Sequence, residues 1–585
     1  MSTRSFRIIT ARTAGFCMGV RRAVGMALGA ADEPGHPRPI RTHGPLIHNR
    51  QVLQVLERRD VRTLADGERP EGGTVLVRAH GLAREEREAL DAGPCAVLDA
   101  TCPHVHRLQR IVQEQAARGY ACIVVGDAGH AEVTGVLSYA GPAGYIVSGP
   151  DDVDALPPLD KVIVVAQTTQ DEDLFRRTAA RAQERFAECV TFDTVCRSTE
   201  RRQTEARELA GRVDAMVVVG GYHSANTRRL ADISRATGTP TFHVETEREL
   251  DLEAVLQYGT VGLTAGASTP NWMLRRVVRR LEDEHLRRTA LLRCLMRTFA
   301  RGLVNSNLFA AGGTAALTYA CALLLPVRPV QLGVCMAVSF FFVLSQHLLN
   351  QHGRRESLYL SEPDRADFFM ANEGPLFALA VASSLLAIFL ASFLGWWPFG
   401  LVAAGTAGGL AYRWPLPRVL GERLRLRSLE HVPGSKELFV GLAWGTLAGL
   451  VPALAAGGGP GQWAAAAVAF AIAFLLAYQR SLALDLRDVE GDQLVGRETL
   501  AGILGGRAAR RVLWALAVLL GVVLALACLA GWTTGFCLPL LFCVPYVPAT
   551  YVMLRRWHRR EAEPAEILVD AGFYLLGAVG LVFGA

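Results

Sequence analysis

Beyond about Leu303 the chain runs through nine apolar stretches, near 303–325, 329–349, 374–396, 397–412, 437–456, 463–484, 511–530, 533–553 and 567–585. Each is close to the roughly 20 residues a helix needs to cross a bilayer core. In hydrocarbon every backbone N–H and C=O must find its partner within the protein, and continuous apolar runs of this length do so as helices, so this half reads as a helical bundle. The first 300 residues are charged, mixed and free of such stretches. A chain of 585 residues with 20% charged residues, against about a quarter in soluble domains, is therefore a two-part molecule. That excludes a fully soluble enzyme, a disordered chain and a secreted disulfide framework.

The net charge of +6 follows the membrane rather than a nucleic acid. Arginines crowd the loops after the even-numbered stretches, among them Arg354, Arg355, Arg413, Arg487 and Arg555, whereas the odd-numbered loops carry only Arg328. The positive-inside rule then places the basic loops and the N-terminal half on the cytoplasmic side of a multi-pass cytoplasmic (inner) membrane protein. The twelve cysteines form no CxxC pair, as expected of thiols kept reduced, and Met1–Val20 has no apolar core of signal-peptide type. Between them, residues 285–302 mix leucines with Arg287, Arg288, Arg293, Arg297 and Arg301. The last three are spaced by four, so this segment reads as a basic amphipathic helix on membrane lipid.

From Phe6 to about Glu282 a short apolar run, a small polar loop and a charged helical stretch alternate, as at Val75–Val77 before Arg84–Leu90. Other such runs are Ile123–Val125, Val162–Val165, Met216–Val219 and Val261–Leu263. The pattern predicts α/β units with parallel strands, whose ligands collect where strands end and helices begin. Cys17, Cys102 and Cys196 stand in matched contexts of this kind, 85 and 94 residues apart. A helix N-terminus favours the thiolate, so three similar units can each bring one sulfur to a common metal centre. Taken singly, each reads as well as a buried structural thiol, like Cys122 or Cys189. His48, His80, His130, Glu132, Thr168, Ser224, Asn226 and Ser268 lie at other strand ends. As a set they suit a diphosphate; singly each is as well read as a helix cap or surface residue.

The segments Gly15–Val20, Leu46–Asn49, Arg78–Gly81, Asp99–Pro103, Gly129–Val133, Gln167–Thr169 and Thr264–Ser268, in this order, closely resemble the LytB-type 4-hydroxy-3-methylbut-2-enyl diphosphate reductases. The resemblance implies an α/β trefoil of three similar units around a [4Fe-4S] cluster held by Cys17, Cys102 and Cys196. It implies Glu132 as proton donor, His130 and Thr168 around the substrate hydroxyl, and His48, His80, Ser224, Asn226 and Ser268 around the diphosphate. It also implies a ferredoxin or flavodoxin as electron donor. Where the family often has Ser-Ser-Asn, this chain has Ser224-Ala225-Asn226, from which slightly altered affinity is expected. His43, His104, His106 and His223 match no key position and read as surface or supporting residues.

After the sixth stretch, Asp485, Asp488 and Asp492 fall on one helix face, a pattern that can hold Mg²⁺ against a diphosphate. This string, with Lys436 and Phe439–Gly445, resembles the second aspartate motif of UbiA-type membrane prenyltransferases. That implies an all-α polytopic membrane domain of about nine transmembrane helices, a prenyl diphosphate donor and an aromatic or lipid acceptor. The family's first motif, NDxxDxxxD, is not matched: Asn350 precedes Gln351, with Arg354 and Leu358 where aspartates belong and Glu356 and Glu362 out of register. The expected organisation is a reductase domain over 1–284, the basic linker over 285–302 and the UbiA-like domain over 303–585. Two alternatives stay open from sequence: a membrane half that only anchors and binds, or a reductase half acting on another substrate. A structural zinc site on the three cysteines is more remote.

Overall fold

The computed structural model describes residues 6–32, 35–65, 67–352, 363–412, 429, 432, 434–459, 461–494, 499–533, 536–557 and 562–584, over 32, 363–364, 488–494, 537, 554–557 and 562–564 the backbone alone. It divides into two compact units, Met1–Leu291 and Leu292–Ala585.

In the first unit the described residues form twelve short strands: β1 (Arg7–Thr10), β2 (Ile40–His43), β3 (Val61–Thr63), β4 (Thr74–Val77), β5 (Ala96–Asp99), β6 (Ala121–Val125), β7 (Gly144–Val147), β8 (Lys161–Ala166), β9 (Glu188–Thr191), β10 (Ala215–Val219), β11 (Thr241–Val244) and β12 (Thr260–Ala265). They make three four-stranded parallel sheets, β3-β2-β4-β5, β7-β6-β8-β9 and β11-β10-β12-β1. Numbered by occurrence, the first two sheets have the order 2-1-3-4. The third has the same order, with the N-terminal strand serving as its fourth: Arg7 lies opposite Thr260 and Thr10 opposite Leu263.

Parallel strands need crossover connections, and their helices cover both faces of each sheet. Alternate residues of one strand therefore face different cores. In the middle sheet, Ile123, Val125, Val162 and Val164 pack with Phe175, Ala179 and Ala182. Cys122, Val124, Ile163 and Val165 pack with Leu108, Val112, Val133 and Val136. This is why these strands read as unbroken apolar runs in the sequence.

The second unit is helical throughout its described residues. Six helices are long and apolar enough to span a membrane: Pro329–His352, Glu373–Ser392, Ser435–Ala455, Gln462–Arg487, Leu500–Leu529 and Ala565–Phe583. The remaining three of the nine expected stretches are helical but shorter. Leu308–Ala322 and Trp396–Ala411 have 15 and 16 residues. The region 533–553 is broken into short helices around Pro539, Pro545 and Pro548, where proline removes the backbone donor. Two buried ion pairs stand out among the described residues of the bundle, as a low-dielectric interior favours. Arg365 donates to Glu566 at 3.0 Å, and Arg480 forms a two-bond fork with Asp570.

Candidate functional site

The three sheets place equivalent residues at equivalent points. The fourth strands, β1, β5 and β9, lead into Cys17, Cys102 and Cys196, each at the start of a helix: Met18–Asp32, Pro103–Ala117 and Arg197–Ala210. The first strands, β2, β6 and β10, lead to His48, to His130 and Glu132, and to Ser224 and Asn226. The third strands, β4, β8 and β12, lead to His80, Thr168 and Ser268. First and third strands are neighbours at the point where strand order reverses, the place where open α/β sheets bind ligands. All eleven residues line one cavity of about 100 Å³.

The cysteines are held alike. The Cys17, Cys102 and Cys196 N–H groups donate to Ala267, Ala79 and Thr168 carbonyls at 3.1, 2.9 and 2.9 Å, each in the loop after its own sheet's third strand. All three are free thiols and partly buried. Gly19 makes room for one sulfur, since a Cβ there would stand 2.6 Å from Cys102 Sγ. Burial pushes the Cys102 thiol up to about 11, with the Cys17 and Cys196 charges adding to it. Beneath them lies Arg202, only 4% exposed, donating to the Ala265 carbonyl at 3.3 Å while its Nε has no hydrogen-bond partner. It forms no ion pair with a carboxylate among the described residues; the negative charge nearest in effect is that of Cys17 and Cys196. Three converging sulfurs, three helix N-termini and a buried guanidinium fit an anionic iron–sulfur cluster.

Across the cavity His48, His80 and His130 form a triangle with ring centroids 4.5, 5.5 and 5.7 Å apart. Burial, then their mutual repulsion, lowers the pKa of His80 well below its ordinary value and that of His130 to about 4. Burial also lowers His48, with Arg78 and His223 adding. His130 Nδ1 accepts from the Glu132 N–H at 3.2 Å, capping the helix Ala131–Ala140, so in the neutral ring the proton sits on Nε2. His48 Nε2, His80 Nδ1 and both side-chain atoms of Asn226 are buried without a hydrogen-bond partner. Each such group costs about 1–3 kcal/mol unless a ligand satisfies it.

Glu132 is 2% exposed. Its carboxylate accepts from Thr168 N–H at 2.6 Å and Thr168 Oγ1 at 2.9 Å. Burial raises its pKa to about 7, against the pull of the Thr168 hydrogen bonds. A buried carboxyl whose pKa is raised to near neutrality, lining the same cavity as three thiols, is suited to proton donation.

Of the unmatched histidines, His104 lines the cavity, His106 pairs with Asp99 at 3.1 Å and His43 closes β2. Arg202, Arg229, Ser198 and Thr199 went unnoticed in the sequence. Arg229 ties the site together, donating to Asp127 and to the Thr169 carbonyl. A signal for Arg202 existed: Thr199, Arg202, Gln203, Ala206, Leu209 and Ala210 are the buried face of an otherwise hydrophilic helix.

In the second unit Asp485 is 3% exposed and accepts from Lys436 Nζ at 2.6 Å. The side chains of Asp488 and Asp492 lie outside the described residues, as do Arg354, Glu356, Leu358 and Glu362. Gln351, where an aspartate was expected, instead accepts from Asn307 Nδ2 at 3.1 Å.

Residues 8–282 match the family model of the LytB protein, and residues 374–576 that of the UbiA prenyltransferase family. The 4-hydroxy-3-methylbut-2-enyl diphosphate reductase of Pelobacter propionicus is 42% identical over 277 residues, 47% of this chain and 98% of that protein. The reductase of Geobacter sp. strain M21 is 44% identical over 276 residues, again 47% of this chain and 96% of that one. A solved structure of (E)-4-hydroxy-3-methyl-but-2-enyl diphosphate reductase is 37% identical, with a TM-score of 0.39, over 48% of this chain and 99% of that chain.

Proposed function

The chain belongs to the family of the 4-hydroxy-3-methylbut-2-enyl diphosphate reductases, and from that premise we propose how its own residues carry out the reaction. The substrate's hydroxyl leaves as water, two electrons and two protons are taken up, and the products are isopentenyl and dimethylallyl diphosphate. A [4Fe-4S] cluster held by Cys17, Cys102 and Cys196 would supply the electrons and an open iron acting as Lewis acid toward the departing oxygen. The single observation that carries the reading is the set of unpaired polar atoms on His48, His80 and Asn226, facing a cavity whose floor is three thiols.

The diphosphate satisfies those atoms. Its charge raises the histidine pKa values, so imidazoles that are neutral in the free protein take up protons as the substrate enters. Ser224 and Ser268 add hydroxyls, and the Ser268 hydroxyl, which donates to the His48 carbonyl at 3.1 Å, also fixes the loop carrying His48. Glu132 holds the proton destined for the leaving oxygen, and Thr168 keeps its carboxyl in place through two hydrogen bonds. His130 lines the hydroxyl side of the cavity.

A direct test is competition by inorganic diphosphate. It is expected to compete with substrate in the native protein and to lose about ten- to a hundredfold in affinity in His80→Ala, the equivalent of about 1–3 kcal/mol. Equal binding by protein and variant would remove the diphosphate from this site.

The reading extends to the rest of the chain. The three equivalent sheets support a trefoil closed by β1. The basic loops support a reductase on the cytoplasmic side of the inner membrane, fed by a ferredoxin or flavodoxin. The six long apolar helices among the described residues, together with the three shorter apolar stretches, support nine crossings, the shorter ones at a local thinning of the bilayer. The domains run 1–284, 285–302 and 303–585, with the linker on the lipid surface: in the helix Leu291–Asn305, Leu292, Leu295, Met296 and Phe299 are all exposed. The UbiA-like half binds a prenyl diphosphate through Mg²⁺ at Asp485, Asp488 and Asp492, for transfer to an aromatic or lipid acceptor.

A further inference from the structure

A Mg²⁺ site in the membrane unit lacks half its usual carboxylates in this sequence, because the second apolar stretch ends Asn350-Gln351 with no aspartate in register. The structure supplies another source. Gly441, Gly445 and Gly449 recur every four residues along the helical segment Ser435–Ala455, and a Cβ on any of them would meet Phe470 or Phe474 within 3.0 Å. Small residues at this spacing let the segment press closely against the helix Gln462–Leu494. One turn before Gly441 comes Glu437, and the carboxyl it carries lies against that of Asp485 on the partner helix.

Both side chains are out of water, Glu437 at 1% and Asp485 at 3% exposure. Asp485 Oδ1 accepts from Lys436 Nζ, but Asp485 Oδ2 and Glu437 Oε1 are buried with no hydrogen-bond partner. Two carboxylates in contact away from water repel each other strongly, and among the described residues one lysine balances one of them. Either a shared proton or a cation must make up the difference. The Lys436 side chain is 43% exposed, so its ammonium has a path to water or to a ligand's phosphate when a cation enters. Mg²⁺ is commonly held by one or two carboxylates, the remaining positions going to water and substrate phosphate.

We propose that Glu437 and Asp485 together hold a divalent cation, Glu437 standing in for the first aspartate motif that the sequence lacks. The cation would bridge to the oxygens of a prenyl diphosphate. This rests on the reading of the membrane half as a Mg²⁺-dependent diphosphate binder, and the test separates the two.

Full-length protein in detergent is titrated with Mn²⁺ alone, free ion being followed by electron paramagnetic resonance, beside Glu437→Gln and Asp485→Asn. Thermal unfolding of each protein confirms that it is folded. The native chain is expected to bind one more ion than Asp485→Asn, and Glu437→Gln to weaken that ion by at least about tenfold. If Glu437→Gln binds as the native chain does while Asp485→Asn loses the ion, the role of Glu437 is overturned and the Mg²⁺ reading stands. If the native chain binds no more than Asp485→Asn, both fail, and the carboxyls share a proton.

Discussion

Serine in place of Cys17, Cys102 or Cys196 is expected to abolish turnover and to bleach the brown absorbance of the anaerobically purified protein. The backbone N–H of each cysteine is tied by its own hydrogen bond at the mouth of its own helix, so each of the three corners offers one sulfur to the cavity. A serine hydroxyl is a far weaker ligand for iron than a thiolate, and the loss falls on iron content as well as rate. Cys122→Ser is the control. That thiol is fully buried inside β6 and packs among Leu108, Val112 and Val133, so its loss is expected to lower stability and leave the iron in place. Iron loss in Cys122→Ser equal to that in the three cavity variants would reduce all four to structural thiols. Zinc in place of iron and sulfide in the native protein would mean a structural zinc site instead.

Glu132→Gln is expected to keep the iron–sulfur absorbance and lower kcat by about 10²–10⁴-fold, the usual contribution of a general acid. Glutamine preserves shape and burial and still accepts from Thr168, but it has no proton to give. The pH profile follows from the same residue. A carboxyl with its pKa raised to about 7 is protonated below that value and ionised above it. The donor form is therefore lost as pH rises, and kcat of the native enzyme, read at saturating substrate so that proton uptake by the diphosphate-facing histidines falls in KM, drops about tenfold per unit once pH is well past 7. His130, at about 4, stays neutral across this range in the free enzyme and does not produce the limb. In Glu132→Gln the residual rate should lack that limb. Its persistence there would assign the titration to another group.

Much of the first unit was legible because its chemistry is local. Apolar runs marked the strands, and a cysteine before a helix marked each of the three corners that converge on the cavity. What one strand at a time does not reveal is closure: β1 pairs with β12 across the whole unit, and only this pairing gives Cys17 the same position in its sheet as Cys102 and Cys196. Arg202 escaped because a lone arginine in a hydrophilic helix looks like solvent-facing charge until the helix is packed. In the membrane unit, hydropathy located the helices but not their lengths. Length depends on where prolines such as Pro539 and Pro545 interrupt the hydrogen bonds. Glu437 sat beside Lys436 in the sequence as an ordinary charged pair. Its meaning comes from the glycine seam that brings it to Asp485.

The most direct test of the central claim is single-turnover conversion of 4-hydroxy-3-methylbut-2-enyl diphosphate by the full-length protein, purified without oxygen and pre-reduced with dithionite. The account predicts isopentenyl and dimethylallyl diphosphate with one water released per two electrons, and no product from Cys102→Ser. A protein that carries its full complement of iron and sulfide, accepts the electrons and leaves this substrate untouched would contradict it.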